Sequence, residues 1–383
     1  MNFAAIELNK QIDRIGRDLI WPKAIEADET ESFDPQVFSS LGDIGLLGII
    51  ASEEDGGSQL SYFDYVSCLE RLAYYSVPYA ITVSVSIMAQ QIIAKAASPE
   101  ARKKFLPGLI AGNTISSFAL SESHSGSDAG AMKTYAKKVP GGYELQGTKM
   151  WITSGGLSEV YVVMARTGEI SQESGTQEIS AFLVSKDTPG FSLGKKEKKM
   201  GWKLSPTREL IFQNCLVSDE QLLGKCGDGL KLAYSALNKG RVTIGAVAVG
   251  LTQRALDLSV SYANERRQFG KSINEFQGLQ FMMADMATET YAARALMREA
   301  ARVLDDPQTG ALIQTRFASM AKLKATDVAM KVTTDAVQVH GGVGYTSEYH
   351  VERLMRDAKA LQIVEGTNQI QRMVIGKNLS SFP

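Results

Sequence analysis

The segment VEGTNQIQR, residues 364–372, places a carboxylate, Glu365, directly before Gly366 and Thr367 and a helix-like pattern. An acid that serves a helix usually sits in its first turn, where it caps free N–H groups or meets the dipole. Glu365 stands just outside, beside a glycine that lets another group come close. On this stretch alone a charge favouring the helix dipole is the simpler reading. The sharper one is a carboxylate held out to take a proton. Three further stretches carry residues suited to chemistry. FALSESHSGSDAG, 118–130, is a small polar loop after an apolar run; backbone N–H groups of such a loop can approach an anion, although a solvated turn has the same composition. KMWITSGG, 149–156, sets Trp151 near Thr153, an aromatic wall and a hydroxyl for a flat ligand, or equally a core tryptophan. NERRQFGKSINEFQ, 264–277, follows Arg266 and Arg267 with Phe269 and Gln277. That suits a phosphate grip beside a stacking surface, although a charged helix end is the commoner use.

Other chemistries are excluded. Cys68, Cys215 and Cys226 are widely spaced, with no CxxC, and His124, His340 and His350 form no HExxH, so no metal site is expected. The serine-rich loop is not GxGxxG and no βαβ unit follows it. A net charge of −1 argues against nucleic acid. The first residues, MNFAAIELNKQIDRIGRDLI, carry Glu7, Asp13 and Asp18, unlike a signal or transit peptide. The longest apolar stretch is placed around IGLLGIIA, too short to span a bilayer. A cytoplasmic protein is expected; a processed one from the mitochondrial matrix would read the same.

The elements that must position these residues fall into three blocks within 383 residues, a length that calls for two or three domains. Residues 1–113 read as helical: Asp34 and Pro35 start one helix, Ser98 and Pro99 another, with Pro107 and Gly108 interrupting the latter. Residues 114–223 change period. GGYELQGTKMWIT alternates, and VYVVMART, EISAFLVSKD and TRELIFQNCLV are β-rich runs between turn residues. Residues 224–383 return to long helices without proline interruption up to Asp305, one of them stopped by Gly341 and Gly342. Their partly all-round apolar faces predict a bundle packed on more than one side. The fold class is thus α+β and multidomain: N-terminal helices, a middle β-barrel or sandwich, and a C-terminal helical bundle.

FALSESHSGSDAG, GTKMWITSGG, RRQFGK, VQVHGGVGYTSEYHVERLMRDAK and VEGTNQIQR, in this order and at this spacing, resemble the acyl-CoA dehydrogenase family over nearly the whole chain. The resemblance implies the three-domain fold with a C-terminal four-helix bundle, a homotetramer built as a dimer of dimers, and FAD held without a Rossmann fold. It implies that Phe118, Leu120, Ser121, Gly126, Ser127, Trp151 and Thr153 line the flavin. Arg266, Gln268, Phe269 and Gln277, with Gln338, Gly341 and Gly342, would meet the FAD of a neighbouring subunit. Thr367 and Gln369 would meet FAD at a helix start. Ser127, Asn238, Arg241 and Gly366 match positions that touch the acyl-CoA substrate, and Glu365 matches the catalytic base. The implied reaction removes the α-proton to Glu365 and the β-hydride to flavin N5. It gives a trans-2-enoyl-CoA and passes electrons to an electron-transfer flavoprotein.

Some relatives carry the base just before the arginine matching Arg241; here that position is Gly240, which favours Glu365. The family's Glu-Pro-Gly is Glu122-Ser123-His124 here, and the basic run KKEKKMG, 195–201, is read as a solvated face. An acyl-carrier-protein-linked dehydrogenase or an acyl-CoA oxidase of the same fold is the alternative, and a flavin-free assembly protein the reading from another class.

Overall fold

In the computed structural model, which describes residues 1–170, 177–377 and 379, helices begin where the sequence offers a cap. Asn2 accepts from Ala4 N–H at the start of α1 (Phe3–Ile15), and α2 spans Ala24–Thr30. Asp34 caps α3 (Pro35–Asp43), Ser61 caps α4 (Tyr62–Tyr75), Ser76 caps α5 (Val77–Ala96) and Ser98 caps α6 (Pro99–Ile110). Each side chain accepts an N–H group that the first turn leaves free. Pro107 does not interrupt the last of these: α6 runs through it to Ile110. The carbonyl it deprives of a partner belongs to Lys103, an exposed residue, so water can take the place of the lost bond.

Helix α5 corrects the placing of the longest apolar stretch. By length and composition it could cross a bilayer, yet 89% of its apolar window is buried inside the protein. Tyr79, Ile81, Val83 and Ile87 join the core shared with α1, α4 and the C-terminal helices. Met88, Ala89, Ile92 and Ile93 join a second core with α6 and the sheet. A helix enclosed by two cores needs no polar face.

The sheet contains β1 (Ser116–Ala119), β2 (Tyr135–Val139), β3 (Gly142–Thr153), β4 (Val160–Ile170), β5 (Gln177–Ser185), β6 (Phe191–Lys196), β7 (Thr207–Ser218) and β8 (Leu222–Leu223). Its order is β6-β7-β3-β2-β4-β5-β8, with β1 parallel to β4. Tyr143 and Leu145 of β3 face a core with Phe182 and Phe212, as the alternation of this strand demands. The register of β3 on β7 slips between Lys149 and Ile152. Such a bulge re-aims the residues it contains, here Met150 and Trp151.

The C-terminal block is α7 (Gly229–Glu265), the hairpin β9 (Arg267–Gln268) and β10 (Lys271–Ser272), α8 (Gln277–Asp305), α9 (Ala311–His340), α10 (Val351–Leu361) and α11 (Asn368–Lys377). Its core is continuous with the N-terminal one. The middle of α7 is buried from Gly240 to Thr252, because α4 and α5 cover it as well as α8 and α9. Close approach needs small residues: a Cβ on Gly250 would collide with the Glu70 carbonyl of α4. Helices, then sheet, then helices is the order the sequence implied.

Candidate active site

Glu365 lies between α10 and α11 with φ +55°, and Gly366 follows at +89°. A left-handed glutamate is costly and persists only where its surroundings hold it. Three buried side chains do so. Lys322 Nζ donates to the Gly366 carbonyl at 3.0 Å and to Asn368 Oδ1 at 2.8 Å. Gln371 Nε2 donates to the carbonyls of Glu365 at 3.2 Å and Gly366 at 2.8 Å. Asn368 Nδ2 donates to Thr326 Oγ1 at 2.9 Å and Asp327 Oδ1 at 2.7 Å, tying the loop to α9.

Glu365 is partly exposed as a residue, but its Oε2 is shut from solvent and has no hydrogen-bond partner among the described residues. Burial pushes the carboxyl up to about 7, and the charges of Arg241 and Lys322 only partly offset it. The carboxyl packs on bare backbone: a Cβ at Gly240 would lie 2.5 Å from Oε2 and 3.4 Å from the Met88 methyl. Arg241 is 8% exposed. Its Nη1 donates to Asn238 Oδ1 at 2.9 Å and Ser319 Oγ at 3.3 Å, while its Nε has no partner among the described residues. Asn238 donates in turn to Thr315 Oγ1 at 2.8 Å. Burial lowers the Arg241 guanidinium, opposed by Glu365, and brings the Lys322 ammonium down to about 7.

Beside Gly240 lies a cavity of at most ≈ 280 Å³ with its open mouth included, lined by Ile50, Tyr62, Tyr65, Ser84, Met88 and Thr243 among others. Apolar side chains with a few polar groups are the usual lining of a small-molecule site. A wider cleft of ≈ 630 Å³ is bordered by Asp28, Glu352 and Arg356. These pair with one another, Arg356 bonding Asp28 Oδ2 at 2.6 Å and Glu352 Oε2 at 2.6 Å, so that cleft closes on its own charges.

A second group of implied residues lies on the sheet. Phe118 is half-buried and Leu120 buried, while Ser121 is half-buried and Gly126 and Ser127 are exposed. The path of this loop is fixed by a buried ion pair, Lys149 Nζ to Glu122 Oε1 at 2.7 Å, with Lys149 also donating to the Leu120 carbonyl at 2.9 Å. Glu122 accepts from Lys133 N–H at 2.7 Å and Thr134 N–H at 3.0 Å. Burial lowers Lys149 to about 8; it also opposes ionisation of Glu122, but the Lys149 charge prevails and Glu122 lies below its ordinary value. His124, half-exposed, stands 3.3 Å from Glu122 Oε2. Trp151 is 51% exposed at φ +57°, which removes the alternative of a core tryptophan. Thr153 is half-buried, its carbonyl accepting from Ser117 Oγ at 2.6 Å.

A third group occupies one end of the bundle. Arg266, Gln268 and Gln277 are exposed, and Phe269 is 92% exposed at the hairpin tip with φ +52°. The rings of Tyr262 and His340 stack with centroids 4.4 Å apart, bringing the exposed Gln338, Gly341 and Gly342 to the same end. Thr367 Oγ1 accepts from Ile370 N–H at 3.3 Å and Gln369 is exposed. Thus Glu365, Gly366, Arg241 and Asn238 form one cluster. Among the described residues no hydrogen bond joins that cluster to the loop 118–127 or to the hairpin. A dinucleotide fits what the second and third groups present: uncovered aromatic faces at Trp151 and Phe269, an exposed arginine, and open space above Gly126, Gly341 and Gly342.

Sequence reasoning missed Lys322, Asn368, Gln371 and the Lys149–Glu122 pair. Lys322 had a signal, since it falls in register with the small residues Ala318, Ala321, Ala325 and Ala329 of one buried helix face.

Comparison with known proteins agrees with the fold. The N-terminal, middle and C-terminal domains of acyl-CoA dehydrogenase match residues 5–113, 117–215 and 227–380. An acyl-CoA dehydrogenase of Bacillus subtilis is 42% identical over 98% of this chain and 97% of its own. A chain solved in work on the electron transferring flavoprotein of Acidaminococcus fermentans superposes with a TM-score of 0.94 at 39% identity, covering 99% of this chain and 98% of that one. A glutaryl-CoA dehydrogenase from Mycobacterium smegmatis in complex with FADH2 gives a TM-score of 0.92 at 26% identity, over 100% of this chain and 96% of that one. With all three domains present and in order, the chain belongs to the acyl-CoA dehydrogenase family and is an oxidoreductase with FAD as its cofactor.

Proposed function

We propose that the protein dehydrogenates an acyl-CoA thioester to the trans-2-enoyl-CoA, with Glu365 as the base. The observation that carries this is a buried carboxylate with an unpartnered oxygen beside an apolar cavity. In water a glutamate is a poor base for hydrogens next to a thioester; raised to about 7, it is matched to neutral pH. The left-handed turn at Glu365 and Gly366 leaves the backbone open to a ligand. The Glu365 N–H would then donate to the thioester carbonyl as enolate charge develops. Arg241 and Asn238 bind the thioester's CoA portion with Ser127, and the apolar cavity excludes water from the reacting carbons. FAD, held by the loop 118–127, Trp151, Thr153, Thr367 and Gln369 and by the bundle-end residues of a second subunit, supplies the acceptor for the β-hydride.

Electrons then pass to an electron-transfer flavoprotein, a partner supported by the likeness to the Acidaminococcus chain. A homotetramer is supported by exposed aromatics on the bundle, Phe269, Phe281 and Tyr291. We place the domain borders at 113/114 and 223/224 and the protein in the cytoplasm. The test is Glu365→Gln. It keeps FAD, and anaerobic flavin bleaching by acyl-CoA falls by about 10²–10⁴-fold, the usual contribution of a general base. Bleaching at the wild-type rate refutes the assignment.

A further inference from the structure

The cavity beside Glu365 has a size and an end. Its ≈ 280 Å³ includes the mouth, so it is an upper limit. At about 30 Å³ for each water-sized group, it holds roughly nine heavy atoms at most, and the thioester oxygen and sulfur claim two of them. We propose that this cavity receives a short acyl chain, of about seven carbons or fewer, and that Tyr62 is the wall that stops a longer one. The inference rests on Glu365 being the base.

Tyr62 is suited to be a wall because it is fixed at both ends. Its hydroxyl donates to the Lys239 carbonyl at 2.7 Å, one residue before the Gly240 on which the Glu365 carboxyl packs. Its own N–H donates to Asp305 Oδ1 at 2.6 Å, and the Phe63 N–H to Oδ2 at 2.8 Å. The ring stands edge-on to Tyr65, centroids 5.5 Å apart and planes at 80°. It is 7% exposed. Swinging it aside would break this bond and leave a buried phenol without a partner. The wall is also close to the chemistry: the carbonyl that its hydroxyl meets belongs to the residue before Gly240, on which the Glu365 carboxyl packs.

The side walls are mostly apolar: Lys239 Nζ donates to Gln91 Oε1 at 2.9 Å, and the buried Tyr65 hydroxyl has no hydrogen-bond partner among the described residues. The Ser84 and Thr243 hydroxyls lie 2.8 Å apart, and Thr243 Oγ1 also donates to the Gly240 carbonyl at 2.8 Å. Met88 contributes its methyl group near Gly240. The pocket therefore selects by length, through exclusion at Tyr62.

The experiment is anaerobic flavin reduction of the FAD-loaded enzyme by butanoyl-, hexanoyl-, octanoyl- and dodecanoyl-CoA. Wild type should give its highest second-order rate constant for flavin reduction with butanoyl- or hexanoyl-CoA and at least a roughly tenfold lower value with dodecanoyl-CoA. Tyr62→Ala should raise the dodecanoyl-to-butanoyl ratio by about tenfold or more. Tyr62→Phe keeps the ring but loses the hydroxyl anchor, and its dodecanoyl-to-butanoyl ratio should fall between wild type and Tyr62→Ala. If Tyr62→Ala loses FAD, Tyr62→Leu carries the same test with a better-filled core. A wild-type optimum at octanoyl- or dodecanoyl-CoA overturns the inference, and so does an unchanged length profile in the FAD-bound alanine or leucine variant. Those results leave the dehydrogenase reading standing. Bleaching by no acyl-CoA at all refutes that reading, and this inference with it.

Discussion

Lys322 should govern both the rate and the pH dependence of proton removal. It is fully buried and donates to the Gly366 carbonyl and Asn368 Oδ1 at 3.0 and 2.8 Å. Lys322→Met keeps the length and the apolar stem while removing both donors and the charge. Hydrogen bonds to charged groups contribute about 1.5–3 kcal/mol each. Part of that is offset because the ammonium is buried at a cost, which brings it down to about 7. A net loss of about 2 kcal/mol remains. Felt entirely in the placement of Glu365, this is a rate reduced about 30-fold, at about 1.36 kcal/mol per factor of ten.

The direction of the pH effect follows from the same geometry. Glu365 accepts a proton only when ionised, so flavin reduction rises with pH through its ionisation at about 7. Arg241 and Lys322 both favour the ionised form, Arg241 the more strongly. Removing Lys322 moves the rise to higher pH, and Arg241 keeps it from moving further. The assay is stopped-flow flavin bleaching by butanoyl-CoA under anaerobic conditions, on both sides of neutral pH, in Lys322→Met and in Lys322→Arg. The arginine variant keeps a charge and should restore the midpoint even where its bulk slows the reaction. A purely structural lysine would lower thermal stability and leave the midpoint alone. An FAD-bound Lys322→Met with an unmoved midpoint refutes the reasoning.

Two further outcomes can be checked. Gly240→Ala places a methyl 2.5 Å from Glu365 Oε2; the carboxyl must shift, and a misplacement of about 1 Å costs on the order of 10²-fold in reduction rate. FAD content should be unchanged, and a rate within threefold of wild type contradicts the packing. His350→Gln should make the protein less sensitive to acid. Burial, and then the charges of Arg353 and Arg254, push His350 down from 6.5 to about 4. Between those values the unfolded chain takes up a proton that the native imidazole refuses, so stability falls as pH falls, by about 1–2 kcal/mol once below both, after solvent screening at this half-buried ring. The difference in thermal unfolding midpoint between pH 6.5 and pH 4 should shrink in the variant; an equal loss in both proteins removes His350 as its source.

The parts of this molecule that were legible in the sequence are those set by local physics. Asp34 and Ser98 mark helix starts because a capping oxygen acts on N–H groups two or three residues away. The alternation of Tyr143 and Leu145 announces a half-buried strand. Pro107 misled because a proline near a helix end removes only one bond. Helix α5 does not read as the longest apolar element because serines, a threonine and glutamines break the run, although Thr82, Ser84, Ser86 and Gln90 are buried. The support of Glu365 was illegible for a different reason. Lys322 and Asn368 are 46 residues apart, and Asp305 reaches the start of α4 across 243 residues. No periodicity records contacts at such separation.

Glu365 is unfavourable by every local rule: its backbone is left-handed, its carboxyl dehydrated and one oxygen unpaired. Proteins keep such conflicts where function needs them and offset them nearby. Here the offset is specific. The groups that hold the turn, Lys322 and Gln371, bind its carbonyls and leave the carboxylate free. Had they bonded the carboxylate directly, the turn would be just as well held, but the acid would ionise easily and cease to be a useful base. The division of labour therefore separates position from basicity. Backbone hydrogen bonds fix where Glu365 sits, while burial against Gly240 and Met88 sets how strongly it attracts a proton. A side chain at Gly240 would disturb the second without touching the first, whereas loss of Lys322 disturbs both.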